Sequence, residues 1–156
     1  MAKARNEVGK LVSATGLQIV LNAYCALSPA LPAGWAIHLG DRAIECRRLA
    51  LAPDLLVCDE RRQPKLVLDT VPPDDVPFPL SSMHKIYTAT PSILDRLLVD
   101  EDRRFVEAAR RTGPLSWSIW LHDGGELDLA SFPCRVALDR LYANVPNGPG
   151  SGEADA

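Results

Sequence analysis

The chain has 156 residues, 47% of them hydrophobic and 24% charged, with a formal net charge of −3. That length sustains one domain with a core of its own, and the composition is that of a soluble globular protein. The slightly acidic balance excludes a general attraction to nucleic acid, so any such binding depends on a local basic patch. The cysteines, Cys25, Cys46, Cys58 and Cys134, lie far apart with no Cys-x-x-Cys pair. This spacing argues against zinc and for free thiols in a reducing compartment. The start, Met-Ala-Lys-Ala-Arg-Asn-Glu, is polar, and no apolar run approaches the roughly 20 residues that span a bilayer. The expectation is a cytoplasmic protein with no membrane partner.

Residues 1–9 are expected to be a flexible start, 10–145 one folded domain, and the glycine-rich residues 146–156 a disordered tail. Leu11, Val12, Leu17, Ile19, Val20, Leu21, Tyr24 and Leu27 recur at mixed three- and four-residue spacing, predicting a helix from Lys10 to Leu27. Gly16 inside it costs about 1 kcal/mol relative to alanine. Trp35 to Leu39 predicts a short strand, and Ala43 to Leu51 an imperfectly alternating partner. A strand then opens with Pro53-Asp54, reverses at Glu60-Arg61-Arg62-Gln63-Pro64 and returns as Lys65 to Thr70. Pro72, Pro73, Pro77 and Pro79 keep the next loop out of any ladder, and Ser81-Ser82 can cap a short helix from Met83 to Ala89.

Leu94 to Asp100 predicts a strand, with Glu101-Asp102 as a solvated turn and a return through Arg104-Phe105-Val106. Leu115, Trp117, Ile119 and Leu121 alternate against Ser116, Ser118 and Trp120, a further strand. His122-Asp123-Gly124-Gly125 reads as its hairpin turn, with Leu127 to Phe132 returning. Val136 to Tyr142 closes as a helical turn. The class is α+β, a mixed β-sheet flanked by helices with an extra C-terminal β-hairpin. Trp117 and Trp120 fall on opposite faces of one strand, and covering both predicts a homo-oligomer.

Two carboxylates, Asp54 and Asp69, end up on neighbouring strands of one hairpin, and Lys85 follows in a chain whose only other lysines are Lys3, Lys10 and Lys65. Two acids and a lysine at one sheet edge can hold a divalent cation and steady a phosphate. Each residue also has a plain structural reading: Asp54 as a turn former, Asp69 as a strand cap, Lys85 as a surface lysine, Tyr87 as core. His38, His84 and His122 form no spaced pair. The sequence has no Gly-x-Ser-x-Gly elbow, no P-loop and no Gly-x-Gly-x-x-Gly fingerprint.

The order Pro53-Asp54-Leu55-Leu56-Val57, Leu66-Val67-Leu68-Asp69-Thr70-Val71-Pro72, Lys85, Tyr87, Leu97-Leu98-Val99-Asp100 and Gly125-Glu126-Leu127-Asp128-Leu129 resembles the Uma2 family over roughly residues 10–142. This is a bacterial group of endonucleases of the PD-(D/E)xK class. The resemblance implies a restriction-endonuclease-like core and phosphodiester hydrolysis in nucleic acid, DNA first. It further implies Mg²⁺ or Mn²⁺ held by Asp54, Asp69 and the backbone carbonyl of Thr70, with Lys85 as the catalytic cation. Tyr87, Arg47 and Arg48 are the substrate-side candidates, with Arg61 and Arg62 as further phosphate contacts. The chain departs from the family pattern in having Asp69 for the usual Glu, Thr70-Val71-Pro72-Pro73 for the Ser-Pro-Ser signature, and Val71 where the parent motif puts its lysine. The alternative is a relative on the same fold that has lost catalysis and acts as a binding protein.

Overall fold

A computed structural model describes residues 13–46, 48–72 and 86–145. The expected flexible start and disordered tail lie outside these residues, as do Arg47, Lys85 and most of the proline-rich loop. The first element is helix α1, Ala14–Leu27, capped by Ser13, whose hydroxyl accepts from the Gly16 N–H at 2.9 Å. A 3₁₀ turn, Ser28–Ala30, ends it at Pro29.

Ten strands follow. The main sheet runs β1 (Ala36–His38), β4 (Leu55–Cys58), β5 (Pro64–Val71), β6 (Asp95–Asp100), β7 (Val106–Gly113) and β8 (Ser116–His122), in that spatial order. Every neighbouring pair is antiparallel except β5 and β6. The fold is thus α+β with a mixed sheet, and the β5–β6 crossover carries the helical residues 86–88.

Alternation along the central strands sends side chains into two cores. Leu55, Val57, Leu66 and Leu68 meet Ile19, Val20, Ala23 and Leu27 of α1 on one face. Leu56, Cys58 and Val67 meet Ile44, Leu51, Ile86, Tyr87 and Ile93 on the other. With both faces covered, β4 and β5 read as continuous apolar runs rather than as half-buried strands.

Two expectations change. Residues 43–51 are not a partner in the main sheet: they form a separate hairpin, β2 (Ile44–Cys46) with β3 (Leu49–Leu51), that lies over the second core. The run after Gly125 does not return along β8. Instead β9 (Glu126–Asp128) pairs with β10 (Arg135–Ala137) as the extra C-terminal hairpin, followed by the closing helix Leu138–Leu141. The reason is burial: Leu127 and Leu129 enter the first core beside Leu97. The Asp95 carboxylate then pins the next residues by accepting from the N–H groups of Ala130 and Ser131 and from the Ser131 hydroxyl. Trp35 stands edge-on to Phe132 at 5.6 Å, and Trp117 lies beneath Arg111 at 4.4 Å.

At Gly16, α1 packs close against Thr70 of β5 and Glu101. A β-carbon there would stand 2.8 Å from Glu101 Oε2 and 3.0 Å from Thr70 Oγ1. Gly16→Ala gains about 1 kcal/mol of helix propensity but forces α1 away from β5, and overpacking of this kind costs about 1–3 kcal/mol. A net loss of stability in urea unfolding is expected; a gain would show that the contact yields freely.

The β6–β7 turn is tied to the closing helix by Tyr142. Its hydroxyl accepts from the Phe105 N–H at 3.1 Å and sits 2.7 Å from the Asp100 carbonyl oxygen. Burial, ahead of the opposing Phe105 bond, pushes the phenol from 10.0 up to about 12. The folded state therefore keeps a proton that the unfolded chain gives up, and stability present below pH 10 is lost as pH rises toward about 12. Urea midpoints should fall across that window, and fall less steeply in Tyr142→Phe.

Candidate active site

The candidate site is built at the end of the β4–β5 hairpin. Register pairs Leu55 with Leu68, so Asp54 lies across from Asp69 at the next step. The two acids bond reciprocally to each other's strand. The Asp54 N–H donates to Asp69 Oδ1 at 3.1 Å, while the Thr70 N–H and hydroxyl donate to Asp54 Oδ2 at 2.8 and 2.9 Å. Asp54 is 5% exposed, Asp69 1% and Thr70 not at all, so these bonds replace the water that both carboxylates give up.

Tyr87 closes the arrangement, its hydroxyl donating to Asp69 Oδ2 at 2.7 Å. Burial first, then the Asp69 charge and the hydrogen bond to it, hold the Tyr87 pKa well above its ordinary value. The proton stays on tyrosine, which is a fixed donor to Asp69 and not a base. Tyr87 is completely buried, so its expected contact with substrate gives way to a role in orienting the acid.

Arg96 is a residue that sequence reasoning missed. It lies on β6, is 6% exposed, and reaches Glu107 at 3.5 Å. Burial lowers its pKa, against the raising influence of Glu107, Tyr87 and Asp69, which places a cation in the electrostatic surroundings of the site. The signal was there: Asp95-Arg96-Leu97-Leu98-Val99 puts an arginine in the middle of an apolar strand, where only a charge partner makes burial tolerable.

Glu101 was also misread. It is not a solvated turn residue but is 6% exposed. It accepts from the Ser13 hydroxyl at 2.6 Å, and its N–H donates to the Val71 carbonyl at 2.9 Å. Its carboxylate thus rests at the start of α1 beside Thr70. The turn-forming role belongs to Asp100, whose Oδ1 accepts from the N–H groups of Asp102 and Arg103.

Of the expected residues, Asp54, Asp69, Thr70 and Tyr87 are brought together. Arg48 is exposed in the β2–β3 turn, while Lys85 and Arg47 lie outside the described residues. Among the described residues no group of three His, Cys, Asp or Glu side chains is arranged to hold a metal ion.

The sheet order and the crossover between β5 and β6 make an α+β fold with a mixed sheet, consistent with a restriction-endonuclease-like core. The chain is similar in structure to a crystal structure described as "a putative nuclease belonging to DUF820", the Uma2 family, from Anabaena variabilis ATCC 29413. The TM-score is 0.60 at 14% sequence identity, over 85% of this chain and 80% of that one. No family model matches the chain and no curated protein matches it.

Proposed function

We propose that this protein is a metal-dependent endonuclease that hydrolyses phosphodiester bonds in nucleic acid, with DNA as the first substrate class. The observation that carries this reading is the reciprocally bonded pair Asp54 and Asp69 at the end of two central strands, in a fold shared with a nuclease-like neighbour. The donor set suits Mg²⁺ or Mn²⁺, since carboxylate and carbonyl oxygens are the ligands hard cations take.

Asp54, Asp69 and the Thr70 carbonyl are the residues that would hold the ion. When bound, it would acidify a water molecule and polarise a phosphoryl oxygen. Tyr87 fixes the Asp69 carboxylate, and Arg96 sets positive charge behind it. Lys85 is the candidate to orient the attacking water or to offset charge in the transition state. Arg48, with Arg47 beside it in sequence, is the candidate phosphate contact.

We place the protein in the cytoplasm. All four cysteines are free, and no helix among the described residues is long and apolar enough to cross a membrane.

A binding protein without catalysis is the second reading. It is favoured by the structural duties of both acids and by the lack of a three-ligand group among the described residues. Titration calorimetry with Mn²⁺, run beside cleavage of plasmid and single-stranded DNA, separates the two. The nuclease reading expects saturable binding at or below millimolar ion and cleavage that chelator stops. A chain that takes up no divalent ion is the binding protein.

A further inference from the structure

Strand β8 ends the main sheet, and among the described residues no strand pairs with its outer edge. Such edges are ordinarily blunted by shortness, charge or proline, because a row of free N–H and C=O groups invites another strand. The opposite edge, β1, follows this rule with only three residues, Ala36–His38. Strand β8 does not. It runs seven residues, Ser-Trp-Ser-Ile-Trp-Leu-His, with no acidic, lysine, arginine or proline residue. Ile119 is 52% exposed, Leu121 64%, Trp120 48%, and Leu115 just before the strand 79%.

We infer that β8 is a homodimer seam, on which a second copy of this chain adds its own β8 antiparallel about a two-fold axis at Ile119. The sequence is self-complementary in that register. Ile119 meets itself, Trp117 meets Leu121, Ser118 meets Trp120 and Ser116 meets His122. One face of the joined sheet then carries a continuous row of Trp117, Ile119 and Leu121 from both copies.

Charge at the ends of the seam supports a second copy over another occupant. Leu115 falls opposite Asp123 of the other chain. The Arg111 guanidinium lies at this end, its Nη1 donating to the Pro114 carbonyl at 2.7 Å. Arg111 and Asp123 make no ion pair among the described residues, and the two-fold brings each toward the other at both ends. Facing residues across such a pair stand with β-carbons about 4.5–5.5 Å apart, so position 119 is the most sensitive place to intervene.

Light scattering of the full chain at micromolar concentration should give twice the 17.0 kDa chain mass. Ile119→Lys sets two like charges at the axis, on a side chain half-exposed in the single chain, and should give the single-chain mass with an unchanged circular dichroism spectrum. Mixing Ile119→Lys with Ile119→Glu should restore the double mass, because only this register pairs position 119 with itself. A wild type of 17 kDa overturns the inference and leaves the edge to a strand from a different protein. A dimeric Ile119→Lys, or a mixture that stays monomeric, overturns the seam at Ile119.

Discussion

Replacing Arg111 with methionine is expected to cost about 3 kcal/mol, a large effect for a single side chain. Arg111 reaches from β7 across the second core to a cluster of backbone carbonyls. Its Nε donates to Ile93 at 2.8 Å and its Nη1 to Pro114 at 2.7 Å. Its Nη2 lies 3.1, 3.3 and 3.0 Å from the oxygens of Tyr87, Thr88 and Thr90. These last are the carbonyls exposed where the helical residues 86–88 end, and a cation is favoured there. Each charge-assisted bond contributes roughly 1.5–3 kcal/mol; partial solvent access to the guanidinium keeps the total well below their sum. Removing it frees the segment that carries Tyr87, so the bond to Asp69 should weaken as well. Arg111→Lys should recover less than half of the loss, since an ammonium cannot reproduce the planar fork. Urea unfolding checks both variants, and a cost under about 1 kcal/mol for Arg111→Met would show that the clamp is ornamental.

The β4–β5 hairpin and strand β6 were legible because β4, β5 and β6 are apolar runs closed by strong turn residues. Asp59 accepts from the N–H groups of Arg61 and Gln63 at 2.9 Å each, and Arg62 takes a positive φ of 64°. Such local chemistry is visible in a sequence. The pairing of Asp54 with Asp69 was legible for the same reason, since one tight turn fixes the register on both sides. What stayed hidden was long-range. Nothing near Glu101 in sequence indicates that it will lie beneath Ser13 and against Gly16, and that contact in turn explains a glycine which looked merely unfavourable within a helix. Arg111 was equally opaque, because a backbone carbonyl leaves no trace in the residue identity of its owner. Strand β9 was misassigned because alternation shows that a strand has one buried face but not which strand it joins.

The largest functional effect is expected at Asp69, with Tyr87 as the residue that discriminates between readings. Asp69→Asn removes a negative charge from the proposed ion site while leaving an amide that can still accept from the Asp54 N–H and donate to the Tyr87 oxygen. Its fold should survive, and Mn²⁺ binding and cleavage should fall below detection. Structural loss alone could mimic that outcome, because Asp69 is 1% exposed and bonded on both oxygens. Tyr87→Phe resolves the ambiguity. It deletes one hydroxyl, keeps the ring in its packed place and leaves every acid intact. Partners that orient a ligand carboxylate are worth about 10–100-fold in metal affinity or activity, so Tyr87→Phe should weaken Mn²⁺ binding by that factor and cleavage with it, while lowering stability by only about 1 kcal/mol. In a protein that uses Asp69 solely as a strand tie, the same variant would lose that stability and show no change in ion binding at all. Calorimetry and urea unfolding on the one variant therefore distinguish a ligand from a tie without knowledge of any substrate.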